Sequence, residues 1–548
     1  MQNSGYYKNV NYDLLANIPQ SSKSILEVGC GAGYLAAAYK LRNPSVHYVG
    51  VEYVPEEAES AKNFLDQVVC GDIEDTSLVI PKAKTEFFDC LIYGDVLEHL
   101  IDPWKCLSRH LQLLSQDGVV VACIPNVQHW SVLANLLQGQ WPTVDQGLFD
   151  RTHLRWFTRD SIIQWFKSNE LQIYGIQPRV FAPDQAKDFA IKMLPALQNL
   201  GLDPQKVFEG IAPLQYVITA GKVSRQLILV EGFSALSPDS MAEVRLSQPL
   251  RALASRPMVN VGLYMHEMKL THSHLLQQKI LIWQRPIFRP TEQDFQKLRL
   301  LIRNGYVVVI DWDDDPDHWP VLKQDDYITF KMVHAVQVSR PELAERISKW
   351  NSNIKVFPNM LEKLPVVDRD NKKDGHSGLK MFFGALNREK DWAPLVKDLN
   401  HVFSTDPDFW SASVIHDRAF FDALDLPEGR KTFRPLCSHA DYLNEMSACD
   451  FAFLPLLDIP FNHLKSDLKM IEAASCGLAS LASKVVYGET IQHGVNGELF
   501  GSSSEMTACL NAWRIDPQKV ASLGQAANQW VRDHRMAAYQ VQDRENWY

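Results

Sequence analysis

Residues 24–40, SILEVGCGAGYLAAAYK, decide the fold of the first part of the chain, because a glycine-rich turn joins a short apolar run to a helical segment. Gly29, Gly31 and Gly33 lack a Cβ atom, so the backbone there can approach a ligand closely and adopt positive φ angles. The helix that follows presents free N–H groups to an anion. A plain tight turn between strand and helix gives the same pattern, and these residues alone leave that alternative open.

Acidic residues follow the next two apolar runs. HYVGVE, residues 47–52, ends in Glu52, at the position after a second strand where a carboxylate accepts hydrogen bonds from ribose hydroxyls. VVCGDIED, residues 68–75, places Asp72 after a third strand, where it can accept a hydrogen bond from an adenine amine. The sequence therefore predicts a nucleoside-containing ligand at this edge of a sheet.

Short apolar runs separated by helix-length segments recur along nearly the whole chain. The runs are SILEVG, HYVGVE, FDCLIYGD, GVVVACIPN, VNVGLYM, YVVVIDWD, AVQVS, LKMFFGAL and FAFLPLL. This alternation predicts α/β architecture with largely parallel sheets, and the strands are too many for one sheet. We expect three Rossmann-like units, residues 1–224, 225–375 and 376–548, with a charged, glycine-containing linker at 364–378.

The first unit resembles the class I S-adenosylmethionine-dependent methyltransferases of the ubiquinone type. The similarity lies in the segments EVGCGAG (27–33), GDI (71–73), FFDCLIYGDVLEHLIDPW (87–104) and IPN…QWF (124–166). It implies methyl transfer from S-adenosylmethionine to a nucleophile on an acceptor. The cofactor-binding residues it implies are Glu27, Gly29, Gly31, Gly33, Glu52, Asp72, Ile73 and Asp95. The leading acid and the DVLEHL segment argue against a nicotinamide-dependent dehydrogenase.

Two histidines are candidates for the base that removes a proton from a hydroxyl acceptor. His153 is the first candidate, since it lies in the polar loop DRTHLR, and His99 in VLEHL is the second. Alternatively, the polar cluster around His153 only pins its loop, and His99 only caps or packs near the cofactor. We interpret Asp95 and Glu98 as structural acids that line the cofactor pocket. The spacing of His, Asp and Glu compels no metal site, so we predict no metal ligand.

The strand pattern restarts near residue 226, and the remainder of the chain resembles GT-B glycosyltransferases of the retaining "group 1" type. AVQVSRPELAERI (335–347) and IKVFPNMLE (354–362) resemble their N-terminal half. LKMFFGALNREK (379–390) and the segment 451–500 resemble the phosphate loop and the donor motif of their C-terminal half. The resemblance implies a nucleotide-sugar donor as co-substrate.

The implied nucleotide-sugar-binding residues are Gly384, Arg388, Lys390, Lys469 and Glu472. We expect the three cations to contact diphosphate oxygens and Glu472 to accept the ribose hydroxyls. A solvated loop for the first two cations and a surface position for Glu472 are the alternatives. Leu464 stands where this family often has an acid. The family's N-terminal histidine has no clear match, and His266 and His334 are the available candidates.

WDDDPD, residues 312–317, contains overlapping DxD patterns after a predicted strand. Such patterns bind manganese in GT-A transferases through carboxylate oxygens. A GT-A domain does not account for the later GALNREK and KMIEAA segments, so an acidic loop at the end of a strand is the favoured interpretation.

Composition places the chain among ordinary globular proteins, with 46% hydrophobic and 22% charged residues in a length of 548. The net charge, 55 − 65 = −10, argues against a nucleic-acid-binding protein. The nine cysteines form no CxxC pair, which favours buried thiols in a reducing compartment. With no signal peptide and no long apolar stretch, the sequence predicts a soluble cytoplasmic protein, and peripheral membrane contact is left open.

The sequence thus predicts a bifunctional transferase that methylates and glycosylates a glycan or glycolipid, such as a surface polysaccharide. Two alternatives remain. In the first, the GT-B half is degenerate and serves only as a glycan-binding module beside an active methyltransferase. In the second, the enzyme tailors a small-molecule glycoside.

Overall fold

The computed structural model describes residues 9–235, 241–268, 278–366 and 378–548. These residues form two compact units, one of Met1–Leu227 with Ala254–Val259 and the other of Ile228–Leu253 with Asn260–Tyr548. The predicted boundary at 375/376 and most of the predicted linker lie outside the described residues. The division into 1–224, 225–375 and 376–548 stays a prediction.

The first unit is built on one seven-stranded sheet. Its strands are β1 (Ser24–Val28), β2 (His47–Glu52), β3 (Gln67–Cys70), β4 (Phe88–Gly94), β5 (Leu114–Pro125), β6 (Gln172–Arg179) and β7 (Gln215–Gly221). Their order is β3-β2-β1-β4-β5-β7-β6, and only β7 runs antiparallel to its neighbours. The parallel strands therefore end at one edge, where the loops after β1, β2, β3 and β4 lie.

Helices cover both faces of this sheet. They are α1 (Tyr12–Asn17), α2 (Tyr34–Lys40), α3 (Pro55–Ala61), α4 (Pro103–His110), α5 (Trp130–Leu137), α6 (Arg159–Ser168), α7 (Pro183–Asn199) and α8 (Pro204–Ile211). All five residues of β1 are buried; Leu26 and Val28 pack into one core cluster and Ile25 into another. Burial on both sides is why Ile25, Leu26 and Val28 are all apolar although they point to opposite faces of the sheet.

The second unit contains two six-stranded sheets. The first consists of β8 (Ile228–Ser234), β9 (Val259–Met265), β10 (Gln278–Gln284), β11 (Tyr306–Trp312), β12 (Ala335–Val338) and β13 (Ile354–Val356), in the order β13-β12-β11-β10-β8-β9. Its helices are α9 (Gln248–Leu253), α10 (Glu292–Arg303), α11 (Pro320–Gln324), α12 (Ile328–Lys331) and α13 (Pro341–Ile347). The pairings from β8 through β10, β11 and β12 to β13 are parallel.

The second sheet consists of β14 (Leu379–Gly384), β15 (Trp410–Ile415), β16 (Lys431–Arg434), β17 (Phe451–Leu454), β18 (Ala479–Ser483) and β19 (Glu498–Phe500), ordered β16-β15-β14-β17-β18-β19 and parallel throughout. Its helices are α14 (Glu389–Thr405), α15 (Arg418–Ala423), α16 (His439–Ser447), α17 (Pro460–His463), α18 (Leu468–Ser475), α19 (Ser503–Ile515), α20 (Gln518–His534) and α21 (Val541–Trp547). Residues of β14 pack into cores on both faces.

The chain end returns to the first sheet of this unit. The ring of Trp547 lies 5.6 Å from that of Phe357, and the Tyr548 hydroxyl donates a hydrogen bond to Gln337 on β12 at 2.7 Å. The α/β class with three Rossmann-like sheets, predicted from the sequence, is confirmed. Two parallel sheets within one compact unit are the arrangement that the GT-B resemblance implies.

Aspartates of the WDDDPD segment make ion pairs within the fold. Asp311 on β11 is fully buried and pairs with the buried Arg245 at 2.7 Å, and Gln337 donates to it at 2.9 Å. Asp313 pairs with Arg285 at 2.5 Å. Asp315 accepts from the Asp317 backbone N–H at 3.0 Å, where a short 3₁₀-helix begins.

All nine cysteines are free thiols, and six of them are buried: Cys30, Cys90, Cys106, Cys123, Cys449 and Cys476. Across the described residues, every helix is too short or too polar to cross a membrane.

The Arg245–Asp311 pair yields a stability prediction. Arg245→Ala leaves the Asp311 carboxylate buried without its cation, which costs roughly 3–5 kcal/mol of unfolding free energy. Arg251→Ala is the control, because its ion pairs with Glu243 and Glu362 lie at the surface and contribute at most about 1 kcal/mol. Urea unfolding of the full chain measures both; equal, small shifts for the two variants would contradict this account.

Candidate functional sites

The backbone of the glycine turn after β1 adopts conformations that are available mainly to glycine. Gly29, Gly31 and Gly33 have φ angles of 73°, 52° and 85°, a region that side chains rarely adopt. A Cβ atom on Gly29 would lie 2.3 Å from the Val96 side chain. The turn therefore has no room for a side chain at this point, and it holds its backbone at the carboxyl edge of the sheet.

Glu52 fastens this turn to the end of β2. Its carboxylate accepts from the Gly31 N–H at 2.8 Å and from the Val54 N–H at 2.9 Å, and the residue is 5% exposed. Both bonds are backbone contacts, so the carboxylate aligns the turn and retains lone pairs for further donors. The structure thus brings Glu52 together with the glycines.

Asp72 and Ile73 follow β3 in different environments. Asp72 is exposed and accepts from the Glu74 backbone N–H at 2.9 Å. Ile73 is buried in the core, and its carbonyl accepts from the Arg109 guanidinium. Asp72 is therefore free to face a ligand from solvent, whereas the side chain of Ile73 is committed to packing.

Two acids near the turn, the buried Glu27 and the partly buried Asp95, have raised pKa values. Glu27 on β1 accepts a hydrogen bond from the Tyr48 hydroxyl at 2.9 Å. Burial raises the pKa of Glu27 to about 8, although Tyr48 opposes the shift and nearby Glu52 adds to it. Asp95, directly after β4, has φ 56° and accepts from Gln215, and burial raises its pKa to about 6.

Glu98, His99 and His153 form a group that we call the histidine cluster. One potential ligand atom from each side chain lies within 4.8 Å of the others. The two imidazole rings meet edge to face, with centroids 4.8 Å apart. The structure therefore brings the two candidate bases together, and it places Glu98, predicted only as a structural acid of the cofactor pocket, beside them.

The loop that carries His153 is held against Glu98. The backbone N–H groups of Leu154 and Arg155 donate to the Glu98 carbonyl at 2.8 and 3.0 Å. Burial lowers the pKa of both His99 and His153, and for His153 the proximity of His99 lowers it further. Burial raises the pKa of Glu98 well above its ordinary value.

In the second unit, Gly384 ends β14 and is buried against Tyr442. A Cβ atom at position 384 would lie 2.5 Å from the Tyr442 ring, and the Tyr442 hydroxyl donates to the Gly384 carbonyl at 3.0 Å. The Lys469 ammonium lies 4.3 Å from the centre of the same ring and donates to its hydroxyl at 2.9 Å. Gly384 thus makes room for an aromatic residue that positions Lys469.

Glu472 lies on α18 together with Lys469 and is 2% exposed. One carboxylate oxygen contacts His439 Nε2 at 2.9 Å, and the other lies 3.6 Å from Lys469 Nζ. That second oxygen, Oε2, has no hydrogen-bond partner among the described residues. Burial raises the pKa of Glu472, but the charge of Lys469 and the contact with His439 outweigh it, so the net shift is downward.

Arg388 caps the start of α14 and lies 3.2 Å from Asp391 and 3.4 Å from the Asn462 side-chain oxygen. Lys390, in the first turn of that helix, is exposed. Lys465, which the sequence did not single out, lies 3.8 Å from Asp314. Burial lowers the pKa of Lys465, and the charge of Arg388 lowers it further, which indicates that the two cations are close.

The other histidine candidates have structural contacts. His334 Nδ1 accepts from the Val308 backbone N–H at 3.0 Å, and His266 Nδ1 contacts the Ala235 carbonyl at 3.2 Å. His439 and Tyr442, which complete the surroundings of Glu472, lie in a helix whose sequence carries no recognisable motif. Their partners come from a separate helix, so spacing along the chain gave no signal for them.

A comparison with known families bears on the first unit. Residues 6–174 match the family model described as "Methyltransferase domain". This part of the chain is therefore similar to methyltransferase domains. An uncharacterised methyltransferase of Mycobacterium leprae is 30% identical over 103 residues, which are 19% of this chain and 37% of that protein. The ubiquinone biosynthesis O-methyltransferase of Cereibacter sphaeroides is 26% identical over 130 residues, 24% of this chain and 52% of that enzyme. The chain thus spans from about a third to half the length of these relatives.

Solved structures similar to the chain include the Anabaena protein HepE in complex with UDP-glucose, with 15% identity and a TM-score of 0.42 over 59% of this chain and 100% of that one. Sucrose-phosphate synthase from Thermosynechococcus elongatus has 13% identity and a TM-score of 0.41 over 59% of this chain and 98% of that one. Similarity at this level adds no argument about function.

The raised pKa of Glu27 gives a prediction about pH. The folded protein holds a proton on this carboxyl that the unfolded chain releases above its ordinary pKa of 4.5, so stability falls as the pH rises from 4.5 to about 8. Glu27→Gln removes this loss, because the amide stays neutral. We expect the variant to gain up to a few kcal/mol over wild type between pH 5 and pH 8, at about 1.4 kcal/mol per pKa unit.

Thermal unfolding at pH 5, 6.5 and 8 measures this difference. Glu56→Gln, an exposed acid on α3, is the control and should show no pH-dependent gain. A constant difference between Glu27→Gln and wild type across this range would contradict the raised pKa.

Proposed function

We propose that the chain is a bifunctional transferase, which methylates an acceptor hydroxyl with its first unit and transfers a sugar from a nucleotide donor with its second. The observation that carries the first activity is the Glu52 carboxylate bound to the glycine turn, within the segment that matches the methyltransferase model. The division at 224/225 and 375/376 is part of the proposal.

S-adenosylmethionine fits the edge of the first sheet. The bare backbone of the glycine turn permits close approach, and Glu52 can accept from ribose hydroxyls with its remaining lone pairs. Asp72, exposed after β3, accepts from the adenine amine, and Glu27 and Asp95 line the buried side. When bound, the cofactor supplies an activated methyl group, so the residues of the chain act mainly by orienting the two reactants.

A hydroxyl is the proposed acceptor group. The match with ubiquinone biosynthesis O-methyltransferases supports oxygen over nitrogen or carbon. His153 and His99 lie at the end of the sheet beside Asp95, where a proton must leave as the new C–O bond forms. We therefore assign to these two histidines the acceptor side of the site.

The second activity is supported by the surroundings of Glu472. Its buried Oε2 atom lies near Lys469 but has no hydrogen-bond donor among the described residues, and a buried acceptor without a donor costs about 1–3 kcal/mol unless a ligand supplies one. Ribose hydroxyls are such donors. Lys469 beside it, with Arg388, Lys390 and Lys465, supplies cations for a diphosphate, so departure of the nucleotide needs no metal ion.

A surface glycan or glycolipid is the acceptor that explains why both activities share one chain. A degenerate second unit that only binds glycans is the first alternative, and a tailoring enzyme for small-molecule glycosides is the second. Saturable binding of a nucleoside diphosphate argues against the first alternative. Mass spectrometry of glycans from a strain that lacks the protein tests the second, by showing whether a methyl group and a sugar disappear from a polymer.

The first activity predicts that Glu52→Ala weakens S-adenosylmethionine binding by about tenfold or more, because ribose hydroxyls lose an acceptor at roughly 1–3 kcal/mol per group. Isothermal titration calorimetry measures the affinity. Glu56→Ala, which removes an exposed carboxylate from the same unit, should bind as wild type does. Equal affinities for Glu52→Ala and wild type would refute the assignment.

The second activity predicts that Lys469→Ala weakens binding of nucleoside diphosphates by about ten- to a hundredfold, since a charge-assisted contact contributes roughly 1.5–3 kcal/mol. Lys484→Ala is the control: this lysine is exposed and pairs with Glu505. Neither variant should change S-adenosylmethionine affinity, and chelators should leave sugar transfer intact. If wild type binds no member of a panel of nucleoside diphosphates, the second unit is degenerate.

A further inference from the structure

Arg544 on α21 is a buried cation of the second unit whose partners are all uncharged. The residue is 3% exposed. Its Nε donates a hydrogen bond to the Gln540 side-chain oxygen at 2.8 Å, and its Nη1 donates to the Tyr548 hydroxyl at 3.1 Å. Among the described residues it forms no ion pair with a carboxylate. Buried charges are almost always paired, so this guanidinium lacks a counter-charge within the described fold.

Most hydrogen-bond donors of Arg544 are unused. A guanidinium has five N–H groups, and the bonds to Gln540 and Tyr548 use two of them, which leaves three without an acceptor among the described residues. The Phe357 ring lies 4.1 Å from the guanidinium carbon and attracts the charge. That ring carries no oxygen or nitrogen acceptor for the three N–H groups. Arg544 therefore lacks both a negative charge and hydrogen-bond acceptors.

The nearby Asp311 does not supply the missing charge, because it is already paired. The Nε and Nη2 atoms of Arg245 donate to its two carboxylate oxygens at 3.3 and 2.7 Å. Burial lowers the pKa of Arg544, the Tyr548 hydroxyl opposes this shift, and the charge of Arg245 adds to it, which indicates that the two guanidinium groups are close. Two buried arginines facing one buried aspartate leave an excess of one positive charge.

A small cavity lies where this excess charge is found. Arg245 and Arg544 both line it, together with the polar side chains of Asn359 and Gln540. The cavity has room for one particle of about the size of a water molecule. Phosphate, sulfate and free carboxylates contain three or more heavy atoms and are too large for it. Water fits but carries no charge, so size and charge together favour a single monovalent halide.

We propose that one chloride ion binds in this cavity between Arg245 and Arg544 and accepts hydrogen bonds from the free N–H groups of Arg544. The ion neutralises the excess charge and joins two separate elements, the turn Glu243–Ser247 before α9 and the helix α21 near residue 548. It thus fastens α21 to the first sheet of the second unit. The site contains none of the residues assigned to the cofactor or the sugar donor, so it does not depend on the proposed function.

Thermal unfolding of the full chain in sodium chloride and in sodium gluconate of equal ionic strength tests the site, since gluconate is too large for the cavity. We expect chloride at about tenfold above its Kd to raise the Tm of the second unit by about 2 °C or more. Arg544→Met should lose this rise. Arg299→Met, which removes an exposed arginine on α10 that pairs with Glu292, should keep it.

A second variant supplies the counter-charge from the protein itself. Gln540→Glu places a carboxylate where the side-chain oxygen of Gln540 already accepts from Arg544 Nε at 2.8 Å. The new ion pair neutralises Arg544 without chloride, so the difference in Tm between chloride and gluconate should disappear. If Arg544→Met fails to fold, Gln540→Glu decides, because it keeps the shape of the side chain. A Gln540→Glu variant that responds to chloride as wild type does overturns the proposal.

The competing explanation is that a single water molecule fills the cavity. It predicts equal unfolding temperatures of wild type in chloride and gluconate, and that result overturns the proposal. Line broadening in chloride nuclear magnetic resonance measures binding directly: we expect a saturable signal in wild type that Arg544→Met and Gln540→Glu abolish. Crystals soaked in sodium bromide locate the ion, with one anomalous peak expected between Arg245 and Arg544. An empty or water-filled cavity in such crystals refutes the site.

Discussion

Burial of each sheet on both faces is the constraint on which the rest of this structure depends. Strands such as β1, with every residue buried, have no solvent-facing side on which a ligand could bind. Charged groups that act on a ligand must then lie beyond the carboxyl ends of the strands, where parallel connections place the loops together. Glu52, the last residue of β2, and Asp95, directly after β4, lie at such positions, and Gly384 ends β14 at the corresponding edge of its sheet.

The buried acids divide into two kinds according to their partners. Asp311 is structural: Arg245 and Gln337 satisfy it inside the first sheet of the second unit. Glu98, and Glu472 at Oε2, are buried without enough donors. A buried carboxylate oxygen without a hydrogen-bond donor costs free energy in the ligand-free protein. Such oxygens therefore indicate positions where a bound ligand donates the missing hydrogen bond. Burial alone does not distinguish the two kinds, whereas the pairing of individual oxygens does.

Much of the fold follows from local sequence. Buried parallel strands are continuous apolar runs, and turn glycines show directly where the backbone needs positive φ, as at Gly29 and Gly33. Candidate residues that belong to such segments, including Glu52 and the Lys469–Glu472 pair, were accessible for this reason. Glu98 was predicted only as a structural acid of the cofactor pocket, because nothing local reveals that its carboxylate lacks donors. His439, Tyr442 and Lys465 were missed because their relevance comes from neighbours on other elements.

The sequence by itself determined the α/β class, the three Rossmann-like sheets and the glycine turn with Glu52, since these depend on periodicity and on short-range backbone geometry. Only the tertiary structure decided how charges are paired. It joined Asp311 of the acidic segment to Arg245, set Gly384 against Tyr442, and brought His153 to Glu98 and His99. Pairing of charges depends on distances between residues far apart in the chain, and those distances are fixed only when the strands and helices pack.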